Sequence, residues 1–135
     1  MADFMRQGGF DPPVTARGHA SYVRDVAVHT DSNRVFSSSG DGTLRAWDVE
    51  SGLCHAEMKG HRDAIRCLLM RPDAVVYSGS RITRGVIYSG SADCSARAWD
   101  MGDMSSMRLF KGHSGTVMCI CASCGIRAAC HVNMC

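Results

Sequence analysis

No stretch of the 135-residue chain approaches the roughly 18 consecutive apolar residues of a membrane-spanning helix. The opening MADFMRQGGF has neither the basic start nor the apolar middle of a secretory signal. These absences speak against a helical membrane protein and an exported one, and the expected setting is cytoplasmic, with the nucleus as the alternative. Charge of one sign is scarce as well: 15 Lys and Arg face 13 Asp and Glu, a formal net charge of +2. That balance gives no reason to expect nucleic acid or a membrane surface as an obligatory partner. Neither a GxSxG nucleophile elbow nor a phosphate-binding glycine loop is present, so the chemistries those motifs serve have no signature here.

What is present is ordinary globular material. Apolar residues make up 45% of the chain and charged ones 21%, a mix that can fold as one domain and bury roughly two thirds of its unfolded surface. Eight cysteines occur. Without an export signal the reducing default applies, and they are expected to be free thiols.

A long internal period organises the sequence. Gly18-His19, Gly60-His61 and Gly112-His113 alternate with Trp47-Asp48 and Trp99-Asp100. Tryptophan to the next histidine is 14 residues in both cases, whereas histidine to tryptophan is 28 in the first unit and 38 in the second. Between these markers the chain alternates as half-buried strands should: Val23, Val26 and Val28, then Val35 and Phe36, then Leu44 and Ala46. Turn chemistry separates them at Thr30 to Asn33, at Gly40-Asp41-Gly42 and at Glu50 to Gly52. Short strands at regular spacing predict an all-β fold.

The pattern resembles the WD-repeat (WD40) family, whose units of roughly 40 to 45 residues carry GH near the start and WD near the end and each supply four strands of a propeller blade. The resemblance covers about residues 18–121. It implies a partial β-propeller: an N-terminal segment over 1–17, open to serving as an outer strand; repeat 1 over 18–59; repeat 2 over 60–111; the start of repeat 3 over 112–122; and a divergent tail over 123–135. It also implies a buried hydrogen-bond chain in each blade. In repeat 1 this joins Asp41, His19, Ser37 and Trp47, because a buried indole N–H and imidazole are costly unless paired. Ser, His and Asp also spell a catalytic triad. A nucleophile must sit exposed beside an oxyanion site, however, and no nucleophile signature accompanies them, so an enzyme is not expected.

The phrase YSGS occurs twice, at Tyr77 to Ser80 and at Tyr88 to Ser91. Ser78 lies 17 residues after His61, close to the 18 between His19 and Ser37, while Ser89 lies 10 before Trp99, matching Ser37 to Trp47. An insertion of about 11 residues within 71–91 accounts for both. The second copy leads directly into Asp93, so the expected tetrad is Asp93, His61, Ser89 and Trp99, with Pro72 to Gly85 as a disordered excursion. The alternative places Ser78 in the tetrad and loops out Gly79 to Ala92.

The third unit starts with GHSGTVMCI and then loses the pattern. An open array leaves a blade face and a strand edge unpaired, which invites self-association and reads as a truncated form of a longer protein. The tail holds Cys119, Cys121, Cys124, Cys130, His131 and Cys135, soft ligands enough for zinc, with one CxxC. A second CxxC is missing, so the expectation is an incidental, reduced tail, with no metal and no cofactor.

In proteins the sequence resembles, function lies on the narrow face of the propeller. Carried over, the corresponding residues are Arg24 and Arg66, with Tyr22 beside the first and Met118 in the third unit. Two arginines on adjacent blades suit a carboxylate or phosphate on a peptide, although an arginine at an exposed strand end is commonly just solvated. The expected function is a non-enzymatic protein-interaction scaffold or peptide-recognition module, whose partners are other proteins or peptides, acidic or phosphorylated ones included. The alternatives are the substrate-recognition part of a ubiquitin-ligase assembly and a fragment without independent function.

Overall fold

The computed structural model describes residues 14–78, 81–124 and 130–134. Most of what was expected of the N-terminal segment, over 1–13, lies outside the described residues. Two four-stranded antiparallel sheets dominate. The first runs β1 (Val23–His29), β2 (Arg34–Ser39), β3 (Leu44–Asp48) and β4 (Cys54–Met58) in spatial order. The second runs β5 (Ile65–Ser78), β6 (Arg81–Ser91), β7 (Ala96–Asp100) and β8 (Ser106–Phe110). These are two all-β blades of propeller type, each a meander of neighbours in sequence.

Local chemistry sets the turns. After β1 a short 3-10 turn over Thr30–Ser32 ends on Asn33 in the left-handed region, which asparagine tolerates better than most residues. Between β2 and β3 the Asp41 carboxylate accepts from the Thr43 N–H at 2.9 Å, and Gly42 adopts a φ of +84°. The second blade makes the same turn with Cys94 at φ 71°. Left-handed conformation there is imposed by the ladder on either side, not chosen by a glycine.

The core lies between the blades. Phe36, Leu44, Ala46 and Met58 of the first sheet cluster with Ile65, Ile87, Trp99, Met101 and Met104 of the second unit. Leu68 and Met70 on β5 pack against this cluster. Val26 and Val28 stand at the matching positions of β1, seven and nine residues after the GH histidine, and they are 53% and 55% exposed. The same face is thus covered in the second blade and open in the first. A hydrogen bond joins the two inner strands: the Asp25 carboxylate accepts from the Leu68 N–H at 3.1 Å.

Over its described residues the inserted segment forms a strand ladder, in place of the disordered excursion expected from Pro72 to Gly85. β5 and β6 pair from Ile65↔Ser91 to Arg71↔Val86, break register, and resume from Val75↔Arg84 to Ser78↔Arg81. Pro72 lacks an N–H to donate, and Gly85 opposite adopts φ +83° with its carbonyl accepting from the Met101 N–H at 3.1 Å, so the ladder breaks there. Beyond the break, Val75, Tyr77 and Ile82 project past the sheet and are largely exposed. β-branched and aromatic residues at facing positions hold a two-stranded ladder without a packing face, which is what the sequence reading undervalued.

The third unit begins as a loop. Val117 is 1% exposed and donates its N–H to the Ser91 carbonyl at 3.0 Å. A strand was expected there; the strand starts later, as β9 (Ile120–Cys124) paired with β10 (Cys130–Met134). Cys54, Cys67 and Cys94 are free, but Cys119 is disulfide-bonded, a departure from the uniformly reduced cysteines expected. The remaining side chains of the candidate metal set, Cys121, Cys124, Cys130, His131 and Cys135, lie outside the described residues.

Candidate functional site

In the second blade, Trp99 Nε1 lies 2.8 Å from Ser89 Oγ, Ser89 Oγ 2.7 Å from His61 Nε2, and His61 Nδ1 2.9 Å from Asp93 Oδ2. An indole can only donate and a carboxylate can only accept, so with His61 neutral, the form its burial favours, every proton in the chain is placed. Trp99 donates to Ser89, Ser89 donates to His61, and a neutral His61 donates to Asp93. The first blade repeats the arrangement: Trp47 to Ser37 at 2.7 Å, Ser37 to His19 at 2.7 Å, His19 to Asp41 at 3.1 Å. Ser89, not the first-copy Ser78, is the serine the structure brings to Trp99.

Sequence reasoning passed over the residues that hold the aspartates. Thr43 and Ser95 each donate a hydroxyl to the carboxylate two residues before them at 2.6 Å, and the Ala20 and Arg62 N–H groups each donate at 2.9 Å. The signal was legible as Asp-x-Thr and Asp-x-Ser after the turn. Burial alone would push the Asp93 carboxyl up, but the donors Ser95, Arg62 and His61 outweigh it and hold the group well below the usual carboxylate range. Asp41 is held down in the same way by Thr43, Ala20 and His19.

His61 shifts down, mainly because burial disfavours the imidazolium, with Asp93 opposing. Both shifts give the same sign. The unfolded chain takes up protons more readily than the folded one, so stability is fully present above the unfolded values and falls on acidification. For His61 the decline begins below about pH 6.5, and for Asp93 and Asp41 below about pH 4. Urea midpoints should therefore fall from pH 7.5 to pH 5.5, and fall less in His61→Asn. A flat profile over that range would contradict the buried neutral imidazole.

This network binds the blade and offers no nucleophile. Ser89 is fully buried and Ser37 4% exposed, each with its oxygen receiving an indole N–H. Burial pushes the Cys67 thiol up to about 11, so it stays protonated. Among the described residues no group of three His, Cys, Asp or Glu is placed to hold a metal.

The three candidate binding residues sit at the ends of the inner strands. Tyr22 is 58% exposed, and Arg24 lies over its ring at 4.6 Å while donating to its hydroxyl at 3.2 Å. Arg66 is at the matching position five residues after its histidine, and its Nε is shielded from water with no partner among the described residues. Met118, the third-unit counterpart, is 60% exposed. Against the open face of the first blade, a cleft of about 460 Å³ is lined by His19, Tyr22, Val23, Val26 and Trp47 among others.

Comparison with known proteins places this architecture. A profile of the WD domain, G-beta repeat, matches residues 11–48 and 52–100. A WD repeat-containing protein of Schizosaccharomyces pombe is 32% identical over 83% of the chain and 27% of its own length. Protein Notchless of Drosophila melanogaster is 32% identical over 72% of the chain and 19% of its own length. A protein of Arthroderma benhamiae named as an E3 ubiquitin ligase complex SCF subunit, sconB, is 41% identical over 42% of the chain and 8% of its own length. The chain thus spans about a quarter or less of the curated relatives it matches.

Proposed function

The chain belongs to the WD-repeat family, and from that premise we propose that it is a non-enzymatic module that recognises an acidic or phosphorylated peptide through Tyr22, Arg24 and Arg66. WD repeats are protein-interaction scaffolds in general, which sets the class of partner. The observation that carries the finer reading is the repetition of arginine at one position of both inner strands, with neither Arg24 nor Arg66 in an ion pair among the described residues. Tyr22 holds Arg24 in a stacked pose, so less side-chain freedom is lost when an anion docks. A guanidinium presents its donors as a planar fork matched to a carboxylate or phosphate. Nucleic acid and membrane are not part of this proposal, and a cytoplasmic setting is; Cys54, Cys67 and Cys94 are free, as that setting favours, and the disulfide-bonded Cys119 is the exception.

The test is an array of acidic and phosphorylated peptides probed with the full chain. Replacing Arg24 or Arg66 by Ala removes charge-assisted hydrogen bonds worth about 1.5–3 kcal/mol, which corresponds to roughly tenfold to a hundredfold weaker binding. Circular dichroism melts should be unchanged in both variants. Undiminished affinity would remove this surface from consideration.

Two further readings each have a specific support. The likeness to an SCF subunit favours a substrate-recognition role in a ubiquitin-ligase assembly. The exposed Val23, Val26 and Val28 favour pairing of the open blade face with another blade, from a second copy or from a longer parent protein.

A further inference from the structure

The two blades share a cross-strand pair that differs in one chemical respect. In the first, Arg45 on β3 faces Glu57 on β4 and donates to it at 2.8 Å, and Lys59 approaches the same carboxylate at 3.5 Å. In the second, Arg97 on β7 faces Leu109 on β8 in the identical register, and Lys111 follows two residues later as Lys59 follows Glu57. One carboxylate thus neutralises two cations in the first blade, and its replacement by Leu109 leaves both cations of the second blade without one among the described residues. Among the described residues the Arg97 guanidinium keeps the Ser106 hydroxyl, at 3.2 Å, and its Nε is shielded from water and unpaired, as is that of Arg45 in the first blade.

Arg97 and Lys111 open into a cleft of about 320 Å³ between the second blade and the start of the third unit, which Arg62 and His113 also line. The guanidinium lies flat on the Gly60 backbone, where a Cβ would stand 3.1 Å from its Cζ. Gly60 therefore positions the fork as well as opening the cleft. The carboxylate in the lining is Asp93, already engaged by His61, Ser95 and the Arg62 N–H. Three permanent cations against that one anion leave two positive charges in excess.

We propose that this inter-blade cleft binds a phosphoryl group carried on a side chain of a partner protein, with Arg97 and Lys111 as the principal ligands and Arg62 at the rim. A dianion matches the charge excess, and the Arg97 fork matches the geometry of its oxygens. The cleft is at the small end of ligand sites, sized for one phosphorylated residue and not for a nucleotide. Neither Arg24 nor Arg66, at the starts of β1 and β5, lines it.

The test titrates the full chain, at fixed ionic strength and monitored by backbone amide shifts, with three probes: a short phosphoserine peptide, its unphosphorylated twin, and inorganic phosphate. The phosphopeptide should shift the amides of Gly60, Arg62, Cys94 to Arg97 and Lys111 to His113 saturably, and the twin should not. Leu109→Glu restores the first blade's arrangement on an exposed position and should weaken the binding read at these amides at least tenfold, as should Lys111→Gln. Saturable shifts confined to the amides around Tyr22, Arg24 and Arg66 would assign the phosphopeptide to the surface proposed above and overturn this site, so the two failures are read separately. Inorganic phosphate binding as tightly as the phosphopeptide would overturn the side-chain-borne source. Absence of saturable shifts, or full affinity in both Leu109→Glu and Lys111→Gln, would overturn the site.

Discussion

Trp99→Ala should lose about 3–5 kcal/mol of folding stability, and Trp99→Phe roughly 1–3 kcal/mol. The indole is 1% exposed and packs within the inter-blade cluster. It also meets the His61 ring edge-on, with centroids 6.3 Å apart. Truncation to alanine removes that burial and leaves a cavity that neighbouring strands, fixed by their ladders, cannot fill. Phenylalanine keeps most of the volume but leaves the Ser89 oxygen without its donor, so the smaller loss isolates the hydrogen-bond chain. Domains of this size are stable by only about 5–15 kcal/mol, so the alanine variant should forfeit a large share of the total. Urea denaturation followed by circular dichroism decides it. Equal losses in the two variants would mean that the network, not the packing, dominates at Trp99; no loss in either would contradict its burial.

Phe36→Ala should cost about as much, about 3–5 kcal/mol, but with a different signature. Phe36 belongs to the first blade, is 0% exposed, and clusters with Ile65, Ile87 and Met101 of the second unit. In repeat arrays stability divides into what each unit holds alone and what the interface adds. Removing the ring strikes the interface, so the blades should stop melting together. Trp47 and Trp99 are the chain's two tryptophans, one per blade, and fluorescence of Trp47→Phe and Trp99→Phe backgrounds reads each blade separately. With Phe36 intact the fluorescence and circular dichroism transitions should coincide within each background; with alanine they should separate, the first blade melting earlier. Coincident transitions and a loss under about 1 kcal/mol would show that the blades are coupled elsewhere.

The blades were legible because their determinants are local and repeated. The spacing of His19, Ser37 and Trp47 and of Ser89 and Trp99 marks residues that a strand meander returns to the same level, so separation along the chain translates into proximity. Thr43 and Ser95 escaped notice because hydroxyls two residues after a turn aspartate look like ordinary turn chemistry. The ladder of Val75 to Ser78 with Arg81 to Arg84 escaped because its stability comes from cross-strand pairing, which depends on register, and register is not written in either strand alone.

The charge difference at Glu57 and Leu109 was in the sequence all along, yet it acquired meaning only through pairing, because Arg97 sits twelve residues from Leu109 and becomes its neighbour by the β7–β8 register. The same holds for Val26 and Leu68, equivalent as letters but one exposed and one packed. Sequence alone determined the units, their strands, the turn aspartates and the tetrad spacing, since backbone periodicity and turn chemistry act over a few residues. Only the tertiary structure decided how the inserted segment pairs, which cations stay unneutralised and which blade face is covered, because those depend on what lies across a ladder or an interface, and a position's own residue does not specify its partner.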